Sequence, residues 1–440
     1  MLILSILLLP LIGSGIFFFL KGNYSKYGAL LFALLEFLLT MYLWHKFRID
    51  GGTQFQIQYP WLQIINSRLH FGVDGLALLM LLLTNTLAPI IIFSSLKDER
   101  PAHFYALILL MQFGLVGIFT SLDGLLFYLF WEVTLIPIWF ICGLFGTGEN
   151  KTRINLKFFI YTFFGSLFML IGLIYAYLHA GSFDLYTLYT AKDTMSYGQQ
   201  TFLFWLFFLA FAIKLPIFPF HTWQADTYAT APTQGSMLLA GIMLKMGVFG
   251  LMRYLLPLAP LAVTGISGGI ALTLAIVSVV YASLIAVVQK DIKRLIAFSS
   301  MAHVGLIAAG IFAAALLTAR YGLDVSGMEG ASVQMLAHGV NVVGLFYAAD
   351  VLMKNFGTRD LSKMGGLASK MPVFAVLFMI ISVGTMAVPL TNAFIGEFLL
   401  LKSIFSLTTV GSIFAGLTLI LCAVYVTKMY AMSMFGKGNS

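Results

Sequence analysis

Apolar runs of bilayer-crossing length follow one another along almost the whole chain, separated by short polar breaks. At about 20 apolar residues per crossing, the pattern predicts about thirteen helices, near 2–20, 27–44, 75–96, 104–121, 122–143, 155–179, 203–220, 235–256, 262–288, 292–317, 331–353, 371–408 and 411–434. Two excursions between them are long, 45–74 and 180–202, and neither is low in complexity or large enough for a domain of its own. The fold class expected is all-α, a polytopic membrane helical bundle.

Two of these spans do not fit a straight helix. The first, 203–220, carries Lys214 and is broken directly afterwards by Pro216 and Pro219. The second, 371–408, is too long for one crossing and contains Pro389, Thr391, Asn392 and Glu397. Proline removes a backbone donor, and irregular backbone at membrane depth is tolerated only inside protein or along a hydrated cavity. The breaks occupy similar places in two runs of five spans, 104–256 and 262–434, although no residue-level identity links the runs. That is the pattern of a transporter with its ion site at the breaks. We therefore expect two inverted five-helix repeats at those positions, preceded by N-terminal spans over 1–103 and followed by a tail at 435–440.

Charge refines the picture. Sixteen Lys and Arg residues fall in one set of alternate loops and near the C-terminus, Lys21, Lys97, Lys151, Lys290, Lys354 and Lys437 among them, against six in the other set. By the positive-inside rule, the N-terminus lies outside and the 354–370 loop in the cytoplasm. Composition agrees with a membrane protein: 60% of residues are hydrophobic and 10% charged, where a soluble domain is nearer a quarter charged. The net charge of +8 sits in short loops, which argues against nucleic acid as a partner. Met1–Leu20 has no basic n-region and no small-residue cleavage site, so it reads as a retained span. Cys142 and Cys422 lie in apolar spans without metal or disulfide spacing and read as packing residues. No haem, flavin, iron–sulfur or nucleotide motif occurs, so no cofactor and no metal are expected.

The candidate chemistry is what remains charged inside the spans. A charge at the bilayer centre costs roughly 2.5–3.5 kcal/mol on insertion scales, so such residues mark functional sites by default. Glu132, inside LLFYLFWEVTLIPIWF, has Lys214 as its natural partner. Lys245 is central in LLAGIMLKMGVFGLM, where burial lets a lysine gain and lose a proton near neutrality. His303 and His338 fall between Lys245 and Glu397 in sequence and are read as members of a relay. His221, after the first break, serves as a cap or a relay; Glu36, central in its own span, faces a neighbouring subunit or a lipid. Asp74 and Asp123 sit at span starts as caps. Lys290, Lys293 and Arg294 read as a solvated topology signal, and Lys402 as a snorkelling lysine.

Six stretches, FYLFWEVTLIPIWF, FAIKLPIFPFHTW, APTQGSMLLAGIMLKMG, KRLIAFSSMAHVG, MLAHGVNVVGLFY and NAFIGEF, resemble the antiporter-like subunits of proton-pumping NADH:quinone oxidoreductase, respiratory complex I. The M-type branch (chain 4 in mitochondria) is the nearest in pattern. The resemblance implies that Glu132 and Lys214 form the charge pair of a first half-channel. It makes Lys245 the central proton carrier, places His303 and His338 on the hydrophilic axis, and ends that axis at Glu397. An acid there fits the M-type branch, since L- and N-type chains usually carry lysine.

Two departures stand out. The family often shows Leu-Pro-Asp-Ala-His after HTW, where this chain has Gln224, Ala225, Asp226, Thr227 and Tyr228. M-type members usually have a fourteenth span, for which either truncation of the sequence or loss of the last helix is expected here. The resemblance implies a non-redox, proton-translocating subunit of the bacterial inner membrane, partnered by L-like and N-like neighbours and lipid, with no NADH or quinone site of its own. The alternatives are a subunit of a multi-subunit sodium/proton antiporter or of a membrane-bound hydrogenase, or a non-conducting scaffold.

Overall fold

The computed structural model describes residues 1–19, 24–322 and 324–435. Lys21, Lys437 and all of the expected tail except Phe435 lie outside the described residues. Eleven of the described helices are long and apolar enough to cross a membrane. The other two expected crossings are the interrupted ones. One is the helix Tyr197–Lys214, whose first turn is drawn from polar residues read above as loop. The other is a pair of 14-residue helices, Pro372–Thr385 and Phe394–Leu407.

The 45–74 excursion brings in the one β element described. Strands Gln54–Leu62 and Ser67–Val73 pair antiparallel, with Asn66 in the left-handed region at φ 49° inside the turn. Its signal is present in the sequence: Phe55, Ile57, Tyr59 and Trp61 alternate with Gln54, Gln56, Gln58 and Pro60, the period of a half-buried strand.

The chain packs as two compact units, residues 1–214 with 245–262, and residues 215–244 with 263–440. These do not coincide with the boundaries of the expected repeats, because the segment after the first break packs with the second unit. Both units nevertheless contain one closure in common. In the first, Asp123 caps the helix Gly124–Phe145 by accepting from the N–H groups of Leu125 and Leu126. After the next helix, Lys151–Ala180, the chain returns so that Asp123 and Asp184 form an antiparallel bridge. In the second, Asp291 caps Ile292–Tyr321 through the N–H groups of Lys293 and Arg294. After Ser326–Phe356, Asp291 bridges Asp360 in the same way. The second aspartate of each pair is itself a cap, Asp184 for the turn Leu185–Leu188 and Asp360 for the turn Leu361–Lys363.

Small residues let the helices of the second unit approach closely. A Cβ on Gly327 would lie 2.2 Å from the carbonyl oxygen of Gly310, so nothing larger than glycine fits where Ile292–Tyr321 meets Ser326–Phe356. Close backbone approach of this kind is how membrane helices gain packing energy in a solvent as apolar as their side chains.

Candidate functional site

In the first unit the helix carrying Lys214 ends at that residue because the next two prolines cannot donate. The carbonyls of Ala212 and Leu215 lose their i+4 partners at Pro216 and Pro219. Lys214 is 3% exposed. Its Nζ lies 5.3 Å from the ring centroid of Trp131, the residue before Glu132. Glu132 and Lys214 stand on helices Gly124–Phe145 and Tyr197–Lys214, with the aromatic face of Trp131 beside the ammonium.

Lys245 is fully buried. Its local backbone could not have been read from sequence: the α-helical stretch Leu244–Gly250 lies between two π-helical turns, Leu239–Met243 and Leu251–Leu255. Such turns widen a helix by one residue and concentrate at functional sites. The second is fastened. The guanidinium of Arg253 pairs with both carboxylate oxygens of Asp74, and the hydroxyl of Tyr189 donates to the Arg253 carbonyl at 2.8 Å. Asp74 also caps Gly75–Ser94 by accepting from Ala77, as expected.

In the second unit three of the sequence candidates meet. Nε2 of His303 lies 3.2 Å from Oε1 of Glu397, 94 residues further along the chain. The His303 and His338 rings are 5.8 Å apart between centroids. Nδ1 of His303 donates to the Ser299 carbonyl at 2.7 Å, and Nε2 also faces the Thr385 carbonyl at 3.2 Å. That carbonyl is available because its i+4 partner would be Pro389. Carbonyl oxygens only accept, so Nδ1 keeps its proton. A second proton then has two stations, Nε2 of the ring or the Glu397 carboxyl. A pair that is complete with two protons, one able to sit on either member, is suited to hold and hand on a proton.

Around it stand residues that, Asn392 apart, the sequence alone did not single out. Gln334 donates to the same Glu397 oxygen at 3.0 Å. Asn341 and Asn392 exchange amide hydrogen bonds at 3.2 and 3.0 Å, tying the second break to Ser326–Phe356. Ser299, Ser300, His303, Gln334, His338 and Asn341 line a small cavity of about 10 Å³, room for about one water. Ser300 Oγ and Gln334 Oε1 have no hydrogen-bond partner among the described residues, the lining ordered water favours. A signal exists: Gln334 and Ser299 precede His338 and His303 by four residues, and so share their helix faces.

Other candidates are placed differently. His221 is buried, its ring edge-on to Tyr281 at 4.8 Å and beside Phe218 at 5.7 Å. Lys293 is not a solvated signal: it is 3% exposed and donates to the carbonyl of Ala231 at 2.6 Å. Arg294 pairs with Asp226. Cys422 is buried, its sulfur 3.9 Å from Nε2 of His303. Glu36 faces neither lipid nor a neighbour, since its accessible surface within the chain is nil. Among the described residues no group of three or more His, Cys, Asp or Glu side chains could hold a metal.

Fold and site together define a polytopic membrane protein that keeps ionisable groups in its interior at broken helices. Residues 121–422 match the family described as NADH:quinone oxidoreductase/Mrp antiporter, transmembrane, and the chain belongs to that family. It is 42% identical over 420 residues to NADH-quinone oxidoreductase subunit M of Rickettsia conorii, covering 95% of this chain and 83% of that one. To the subunit M of Rhodobacter capsulatus it is 37% identical over 94% of this chain and 81% of the relative. In structure it is similar to a chain of respiratory complex I from Thermus thermophilus with bound NADH. The TM-score is 0.91 at 30% identity, over all of this chain and 90% of that one. A chain of an archaeal membrane-bound sulfane sulfur reductase has the same fold, with a TM-score of 0.87 at 21% identity over all of this chain and 89% of that one. The protein is a multi-pass inner-membrane protein.

Proposed function

We propose that this chain is a proton-translocating subunit of the membrane arm of NADH:quinone oxidoreductase, working beside other antiporter-like subunits of L and N type. Glu132, Lys214 and Lys245 serve as its proton-handling groups in one compact unit, and His303, His338 and Glu397 in the other. Energy from quinone reduction elsewhere in the complex reaches the chain through its neighbours and alters the Glu132–Lys214 pairing. That shift changes how readily Lys245 holds a proton. The chain itself contributes neither an NADH nor a quinone site.

The observation that carries this reading is the His303–Glu397 contact, a buried pair with two stations for one proton and a water-sized cavity alongside. The inverted relation of the two repeats belongs to the same proposal. What supports it is that each unit holds the same aspartate closure, Asp123–Asp184 in one and Asp291–Asp360 in the other. The family also includes antiporters, but relatives matched over more than four-fifths of their length carry the oxidoreductase name.

Glu132→Gln separates a pump from a scaffold. It keeps the side-chain shape and removes the charge opposite Lys214. In the assembled complex we expect fewer protons pumped per electron at normal complex content. Loss of complex with unchanged stoichiometry in what remains would favour the scaffold.

A further inference from the structure

Glu36, at the middle of helix Ser25–Lys46, belongs to neither repeat, and its carboxyl is fully buried. The polarity of its surroundings can be read from one bond. The hydroxyl of Thr40 donates to the Glu36 carbonyl at 2.9 Å. Its oxygen is then the acceptor toward Asn85, whose amide nitrogen lies 2.8 Å away. The same nitrogen points its other hydrogen at Oε1 of Glu36, 3.4 Å off. That leaves the Asn85 oxygen to accept from Nε2 of Gln112 at 2.8 Å. A single chain of hydrogen bonds thus crosses three helices, Ser25–Lys46, Gly75–Ser94 and Ala102–Thr120, with every amide orientation fixed in turn.

Two oxygens remain without a hydrogen-bond partner among the described residues, Oε2 of Glu36 and Oε1 of Gln112. Both are acceptors, both are buried, and among the described residues no Lys, Arg or His forms an ion pair with Glu36. An isolated carboxylate in such surroundings takes up a proton instead. A metal ion would not serve, because Asn85 presents its N–H side to the carboxyl. A proton on Oε2 does, since it converts one surplus acceptor into a donor in a network that has an acceptor to spare.

We infer that Glu36 is a proton-binding site of the N-terminal helices, a neutral carboxylic acid separate from the lysine and histidine groups proposed above. Infrared difference spectra between the complex with the wild-type chain and with Glu36→Gln, near neutral pH, test it. The expected result is loss of one protonated-carboxyl C=O band that moves to lower frequency when the wild-type complex is held in D₂O. Loss of carboxylate bands instead, or no change in the acid region, would overturn it. Asn85→Leu provides a second route should Glu36→Gln not assemble: removing the N–H that faces Oε1 of Glu36 moves the same band to higher frequency, and an unmoved band overturns the assignment. Neither measurement involves Lys245 or pumping, so this inference and the proposed function can fail separately.

Discussion

Asn341 and Asn392 illustrate how much single residues carry here. Their amides bond reciprocally, so Asn392→Ala leaves the buried Asn341 with an unmatched donor and acceptor, whereas Asn392 is exposed. An unsatisfied buried polar group costs about 1–3 kcal/mol. We expect Asn392→Ala to destabilise the second unit by about that amount and Asn341→Ala by less. The double variant should lose little more than either single one, because both remove one shared interaction. Thermal or denaturant unfolding of the detergent-solubilised complex checks this, and additive losses would mean the amides act independently. The pair matters because it holds the backbone break from which the Thr385 carbonyl reaches His303. None of these contacts was legible in the sequence. His303 and Glu397 could each be singled out as polar residues in apolar spans, but periodicity does not report which distant helices meet.

At the scale of elements, the β hairpin and the loops it touches respond to pH in a direction the structure fixes. Burial alone would raise the carboxyl of Asp184, yet it sits below its ordinary value, chiefly through the 2.8 Å bond from Nδ1 of His70 and then the N–H of Thr187. Asp74 is likewise lowered against its burial, by the hydrogen bond and charge of Arg253. A carboxyl lowered on folding contributes stability that is complete at neutral pH and fades as pH falls through the folded value. Asp123 runs the other way: burial raises it despite donors from Arg68, Leu126, Ser67 and Leu125, so its cost is borne when ionised and relieved by acid. Hydrogen exchange over 54–73 should therefore stay slow from neutral pH down to the carboxylate range. It should quicken only below about 4, the ordinary aspartate value. Asp184→Asn should quicken it already at neutral pH; unchanged exchange would remove His70–Asp184 as the tie. The hairpin was readable, since its alternation stands in the sequence, but a search for apolar runs passes over a half-polar strand. The π turns flanking Lys245 were not readable, because a helix with one extra residue in a turn keeps the same apolar composition.

For the whole molecule, the sequence reached the class of fold and singled out His303 and Glu397, which meet in the structure, because desolvation of a charge in a bilayer is costly enough to make each exception informative. It erred where side chains lay near helix ends, as with Lys293, since proximity to a boundary does not say whether a lysine turns out to water or in to a carbonyl. The packed units follow other bounds than the expected repeats, since 215–244 packs with residues later in the chain rather than those before it. The proposed function makes its sharpest claim at Lys245, fully buried between two π turns. The most direct test is the number of protons translocated per electron by the assembled, reconstituted complex carrying Lys245→Ala. A lower ratio at preserved complex content is the expected result; a ratio equal to that of the wild type would contradict a proton-carrying role for this lysine.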